Sequence, residues 1–261
     1  FSMRMMKKVL GTVTVLALSV SLLAGCGSTA ASPVSSAAST AAESTTSSVV
    51  SETTSAAADE NVAAAAQLLN DLTGSYQELW PVILADEYKQ TWLDDCTALV
   101  GEDNAEAAFE KLSSMVTGDV YGEDAVKAYA NGGGAYFCGF TNSLATLTFD
   151  GETSTISGTD KDGNVLFSHT YHYIGMEPVH GLYEFESDDA DSGEFTYFFL
   201  APDTSAETYH IEFRYGSDAE ALSQYDAGEY AYWVASGIST DCDQTMIDNC
   251  IELFCTENLA G

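Results

Sequence analysis

The spacing of apolar residues changes character along the chain. Residues 61–72 are rich in Ala and Leu, and Tyr76, Leu79, Trp80, Ile83 and Leu84 continue at helical spacing. Pro81 lies within that run, so a helix starts or bends there. Ala107, Ala108, Leu112 and Met115 predict a helix over 103–115, and a shorter one is expected over 123–130. Asn131, Gly132, Gly133 and Gly134 then end helix.

Beyond Ala135 the pattern becomes one of short strands and turns. Residues 144–149 lead into Asp150 and Gly151, a hairpin signal. Segments 154–157 and 164–174 flank a second turn at Lys161, Asp162 and Gly163. Strands are expected at 182–186 and 195–200 across an acidic turn, and 209–215 is the last clear strand. Near the C-terminus Met246, Ile247, Cys250, Ile251 and Phe254 form one apolar helical stripe, with Ser239 or Thr240 available as its cap. Helices, a β-meander and a final helix make an α+β chain with an antiparallel barrel or sandwich at its centre.

The N-terminal region reads differently. Arg4, Lys7 and Lys8 precede an apolar stretch that ends in Leu23, Ala24, Gly25 and Cys26. That layout is a secretory signal, and its ending resembles the lipobox of bacterial lipoproteins, which implies lipidation of Cys26. Residues 1–26 are therefore expected to be a lipoprotein signal. Residues 27–60, built almost wholly from Ser, Thr, Ala, Val and Glu, are expected to be a flexible tether. The folded domain is expected at 61–261, outside the cell and held to the membrane through the lipid.

Charge narrows the partners. Forty Asp and Glu stand against eight Lys and Arg, a formal net charge of −32. Such a surface repels phosphate backbones, which argues against a nucleic-acid partner. Motifs of the common hydrolase, nucleotide-binding and zinc-protease classes are missing from the sequence, and a non-enzymatic role is expected. Excluding Cys26, Cys96, Cys138, Cys242, Cys250 and Cys255 remain, an odd number without tight pairs. Long-range pairs such as Cys96 with Cys242 or Cys255 stay open.

Four histidines carry the remaining chemistry. His169 and His172 are three apart on one strand and so point to opposite faces. His180 lies in a turn beside Pro178, where a solvated side chain is expected. His210 begins a strand and shares its face with Thr208 and Glu212.

Several motifs in order resemble the ZinT/YodA family, a zinc- and cadmium-binding lipocalin-like domain. They are LTGSYQELWPVIL at 72–84, residues 139–149, YHYIG at 171–175, GLYEFE at 181–186, LAP at 200–202, YHI at 209–211 and GSD at 216–218. A Tyr- and Trp-rich stretch at 230–233 and the last helix complete the resemblance. It implies a lipocalin- or calycin-like antiparallel β-barrel with N-terminal helices and a C-terminal helix. It also implies zinc, or another divalent cation, held inside one barrel end by a histidine before I-A-P and an H-x-H pair, and a link to a metal ABC transporter. Here only the last histidine is present, as His210. Thr208 stands at the second position, and Phe198 or Phe199 at the first. His210 is thus the lead ligand, with Glu212 and His169 as further candidates. Two other outcomes stay open: a barrel that binds a small apolar ligand, or an interaction module with an exposed aromatic patch around 225–233.

Overall fold

The computed structural model describes residues 49–202 and 209–260, with side chains from residue 60 onward. Cys26, the signal segment, most of the tether and Thr208 lie outside the described residues. The order is α1 (Val49–Asp71), β1 (Gly74–Glu78), α2 (Leu79–Ile83), a 3-10 turn (Asp86–Tyr88), α3 (Lys89–Val100), α4 (Glu102–Ser114) and α5 (Glu123–Ala130). Next come β2 (Thr146–Asp150), β3 (Thr155–Thr159), β4 (Val165–Met176), β5 (Tyr183–Ser187), β6 (Tyr197–Leu200) and β7 (His210–Gly216). The chain ends with α6 (Ala219–Leu222), β8 (Ala235–Ser239) and α7 (Gln244–Leu259).

Eight antiparallel strands follow one another around a closed barrel, and β1 pairs with β8 to complete it. Side chains alternate cleanly along β4, with Phe167, His169, Tyr171 and Tyr173 on one face. Phe167 stacks on Phe195 at 4.0 Å, and Tyr171 meets Phe198 edge-on at 5.4 Å across the intervening β5. Phe198, Phe213 and Tyr215 continue the series, so the lumen is filled by rings. Outside it, Trp92 of α3 packs against Phe109 of α4 and Phe254 of α7, and its indole N–H donates to the Ile83 carbonyl at 2.7 Å.

Two strands depart from the sequence reading. Tyr76 was expected within a helical run, but 74–78 is strand and helix is confined to Leu79–Ile83, with Pro81 in its first turn. Pairing on both edges, to β2 and β8, outweighs the local spacing. β8, of sequence ASGIS, lies beyond the last strand the pattern indicated. It lacks a strand's usual bulk because the barrel has no room there. A Cβ on Gly237 would sit 3.0 Å from Ile211 Cγ1 and 3.3 Å from Tyr76 Cβ.

The turn expected at Asp150 and Gly151 does join β2 to β3. A Cβ on Gly151 would lie 2.4 Å from the Asn70 backbone, so the end of α1 seats directly on this turn. α1 itself starts at Val49, inside the stretch assigned to the tether. Ala56, Ala57 and Ala58 within it are strong helix formers.

The cap of α7 is neither Ser239 nor Thr240. Ser239 ends β8, and the Thr240 N–H is engaged by the Ser75 carbonyl at 2.9 Å. Asp243 caps instead, accepting from the Met246 N–H at 2.9 Å. Replacing Asp243 with Ala is expected to lower stability by about 1 kcal/mol. Urea unfolding followed by far-UV circular dichroism checks this, with Thr240→Ala expected to have a smaller effect.

Candidate functional site on the outer wall of β7

Every residue of β7 is buried. Ile211, Phe213 and Tyr215 pair with lumen-facing residues, Gly237, Ala235 and Phe198 respectively. His210, Glu212 and Arg214 therefore occupy the outer face, opposite Ile238, Ser236 and Phe199. Arg214 stays buried because the chain between β7 and β8 folds back over the wall, while Glu212 lies near Cys138 and near Cys250 of α7.

Arg214 holds that excursion. Its guanidinium donates to the carbonyls of Leu222, Gln224 (3.1 Å) and Tyr230 (2.5 Å), and lies 4.3 Å from the Tyr225 ring centroid. Burial pulls its pKa down, while Tyr225, Tyr136 and Glu177 oppose that shift. Tyr225, Tyr230 and Trp233 are consequently buried, which corrects the expectation of an exposed aromatic patch at 225–233.

His210 and Glu212 are 6% and 3% exposed, enough to place both imidazole and carboxylate out of bulk water. Beyond Glu78, where β1 ends, Phe137 and Cys138 take over the edge of β8, and the Ser236 N–H donates to the Cys138 carbonyl at 3.1 Å. Burial, then the Glu212 charge, raises the thiol pKa of Cys138, and the same two causes lift that of Cys250 to about 12.

His169 is not brought to this site. It faces the lumen beside Phe167 and Tyr171, and its Nδ1 lies 2.6 Å from Asp189 Oδ2. His172, on the opposite face to His169 as expected, has Nδ1 2.7 Å from Asp188 Oδ1. Phe198 points into the lumen and Phe199 outward, and both are completely buried. Among the described residues no three His, Cys, Asp or Glu side chains gather where they could hold a metal ion. His210 and Glu212 share one face of β7, and the described donors do not fit an ion caged by three histidines.

His180 corrects its sequence reading. Its side chain is only 10% exposed, with its ring centroid 3.9 Å from that of Tyr225. The cause is Glu177, a fully buried carboxylate that accepts the N–H groups of Val179 (3.0 Å) and His180 (2.6 Å). The turn so formed carries the imidazole onto Tyr225. An acid whose carboxylate accepts local N–H groups is a turn former, and Glu177 three residues ahead of His180 was the available signal.

A mostly apolar cavity of about 350 Å³ lies beside the barrel end, among Trp80, Pro81, Leu84, Val116, Phe137 and Cys138. Glu78 borders it, accepting the Phe140 N–H at 2.5 Å. No motif in the sequence pointed to this space, because α2 and the 137–139 segment meet only in the fold.

No family model and no curated protein matches the chain. Among solved structures, it is similar to the Zn(II)-bound ZinT-like domain of Streptococcus pneumoniae AdcA. The TM-score is 0.45 at 15% identity, over 70% of this chain and 89% of that one. It is also similar to Zn(II)-bound AdcA from Streptococcus pneumoniae, with a TM-score of 0.41 at 14% identity, over 70% of this chain and 34% of that one. The chain thus spans about a third of the latter.

Burial would raise the Glu177 pKa, but the hydrogen bonds from His180 and Val179 outweigh it and hold the carboxyl below its ordinary value. Its contribution is therefore present above the ordinary carboxylate range and is lost as pH falls through the lower folded value. Glu177→Gln is expected to cost about 2 kcal/mol at neutral pH and to flatten the acid limb of stability against pH. Urea midpoints measured from pH 3 to 7 check both.

Proposed function

We propose that this chain is a non-enzymatic, lipid-anchored protein of the outer face of a bacterial membrane that binds a divalent cation near a metal transporter. The observation that carries the reading is the pair His210 and Glu212, side by side on one face of β7 and each more than nine-tenths buried. Imidazole nitrogen and carboxylate oxygen on one strand face are donor types suited to zinc and similar ions. With two protein donors, water completes the coordination, so binding is weak and only modestly selective. Zinc is the ion to test first, since the sequence resemblance implies it. Anchoring through Cys26 belongs to the same proposal, and the net charge of −32 draws cations toward the surface without choosing among them.

A second reading rests on the side cavity. Because rings fill the lumen, an apolar ligand would be taken between Trp80 and Phe137 and not inside the barrel. A hydrophobic probe that alters Trp fluorescence in the parent but not in a Val116→Trp variant, which fills the cavity, supports this second reading.

For the cation, calorimetric titration of zinc into the chain is expected to show one weak event. His210→Ala is expected to reduce affinity by about tenfold or more, with Glu212→Gln also weakening it. Heat no greater than that of buffer, or an unchanged curve for a folded His210→Ala variant, overturns the assignment.

A further inference from the structure

In the helical layer the thiols of Cys96, on α3, and Cys255, on α7, face each other with sulfurs 4.0 Å apart. Both residues are completely buried. Their surroundings are apolar: Trp92 lies one turn before Cys96, Phe254 adjoins Cys255, and the two rings meet edge-on at 5.9 Å. Cys138 is engaged elsewhere, its sulfur 3.7 Å from the Tyr136 carbonyl. Burial raises the pKa of both facing thiols, so neither is a ready nucleophile once the helices have packed.

We propose that Cys96 and Cys255 are joined by a disulfide bond, made while α7 is docking and then sealed in the helical layer. A bond length near 2.05 Å asks the sulfurs to approach by about 2 Å. The oxidant is a small-molecule or protein disulfide. The Cys96 thiolate attacks one of its sulfurs, forming a mixed disulfide and releasing one thiolate. The Cys255 thiolate then attacks the Cys96 sulfur and expels the second thiolate. One S–S bond is formed and one broken, two electrons pass to the oxidant, and the two protons lost by the cysteines end on its thiols. The link joins residues 159 positions apart, so it ties α7 and the N-terminal helical layer into one cross-linked unit. This goes beyond cation binding and does not depend on it.

The test refolds the reduced, denatured chain in oxidised and reduced glutathione, then unfolds it in guanidinium with excess iodoacetamide for peptide mapping. The expected result is a linked pair of peptides containing Cys96 and Cys255, with Cys138, Cys242 and Cys250 alkylated. Dithiothreitol is expected to lower Tm by about 5–15 °C in the parent chain and to leave a Cys96→Ala, Cys255→Ala double variant unmoved. Alkylation of both Cys96 and Cys255 in oxidising buffer, or linkage of either to another cysteine, overturns the proposal. The mapping is done on unfolded chain, so it decides the matter even if the double variant fails to fold.

Discussion

Closure of the barrel between its first and last strands is the constraint from which the rest of the structure follows. Tyr76, Gln77 and Glu78 of β1 lie opposite Ser239, Ile238 and Gly237 of β8. With the strand edges paired, the long connections pack on the outside of the sheet, apart from the short 137–138 pairing with the start of β8. The helices between β1 and β2 become an outer layer around Trp92, and α7 is drawn in to meet them. Closure also makes the interior small. Phe167, Tyr171, Phe198, Phe213 and Tyr215 occupy it, and Gly237 of β8 leaves room for Ile211 and Tyr76 on the two flanking strands.

A solid interior moves the polar chemistry to the wall. His210, Glu212 and Arg214 lie on the outer side of β7, which most barrels leave to solvent. The burial of Arg214 is sustained by its own guanidinium, whose donors are spent on main-chain carbonyls of the segment that covers it. A planar fork with several donors can satisfy that many acceptors at once, and an ammonium group could not do so in the same geometry. Arg214 is thus a structural cation.

Much of this was legible in the residues, for identifiable reasons. The alternation in β4 is strict, so the opposite orientations of His169 and His172 could be read directly. Asp150 with Gly151 and Lys161 with Asp162 and Gly163 are turn sequences with local causes. The shared face of His210 and Glu212 followed from strand periodicity, but which side of the barrel it faced did not. The apolar set Ile211, Phe213 and Tyr215 was the available clue, since a closed small barrel buries its apolar set inside. β1 and β8 were hidden because their strand character comes from pairing with each other. The burial of His180 rests on two partners: Glu177, three residues ahead, was a local turn signal, but Tyr225 meets the imidazole only in the fold.

Two neighbouring aspartates grip β4 from opposite sides. Asp189 engages His169 on the lumen face, while Asp188 engages His172 and Thr170 on the outer face. A strand sliding by one residue turns each side chain to the other side, so neither aspartate would then find its histidine. The short loop after β5 therefore acts as a ratchet pawl. It permits one registration of the longest strand and so sets the pitch at which the neighbouring hairpins wind around the barrel.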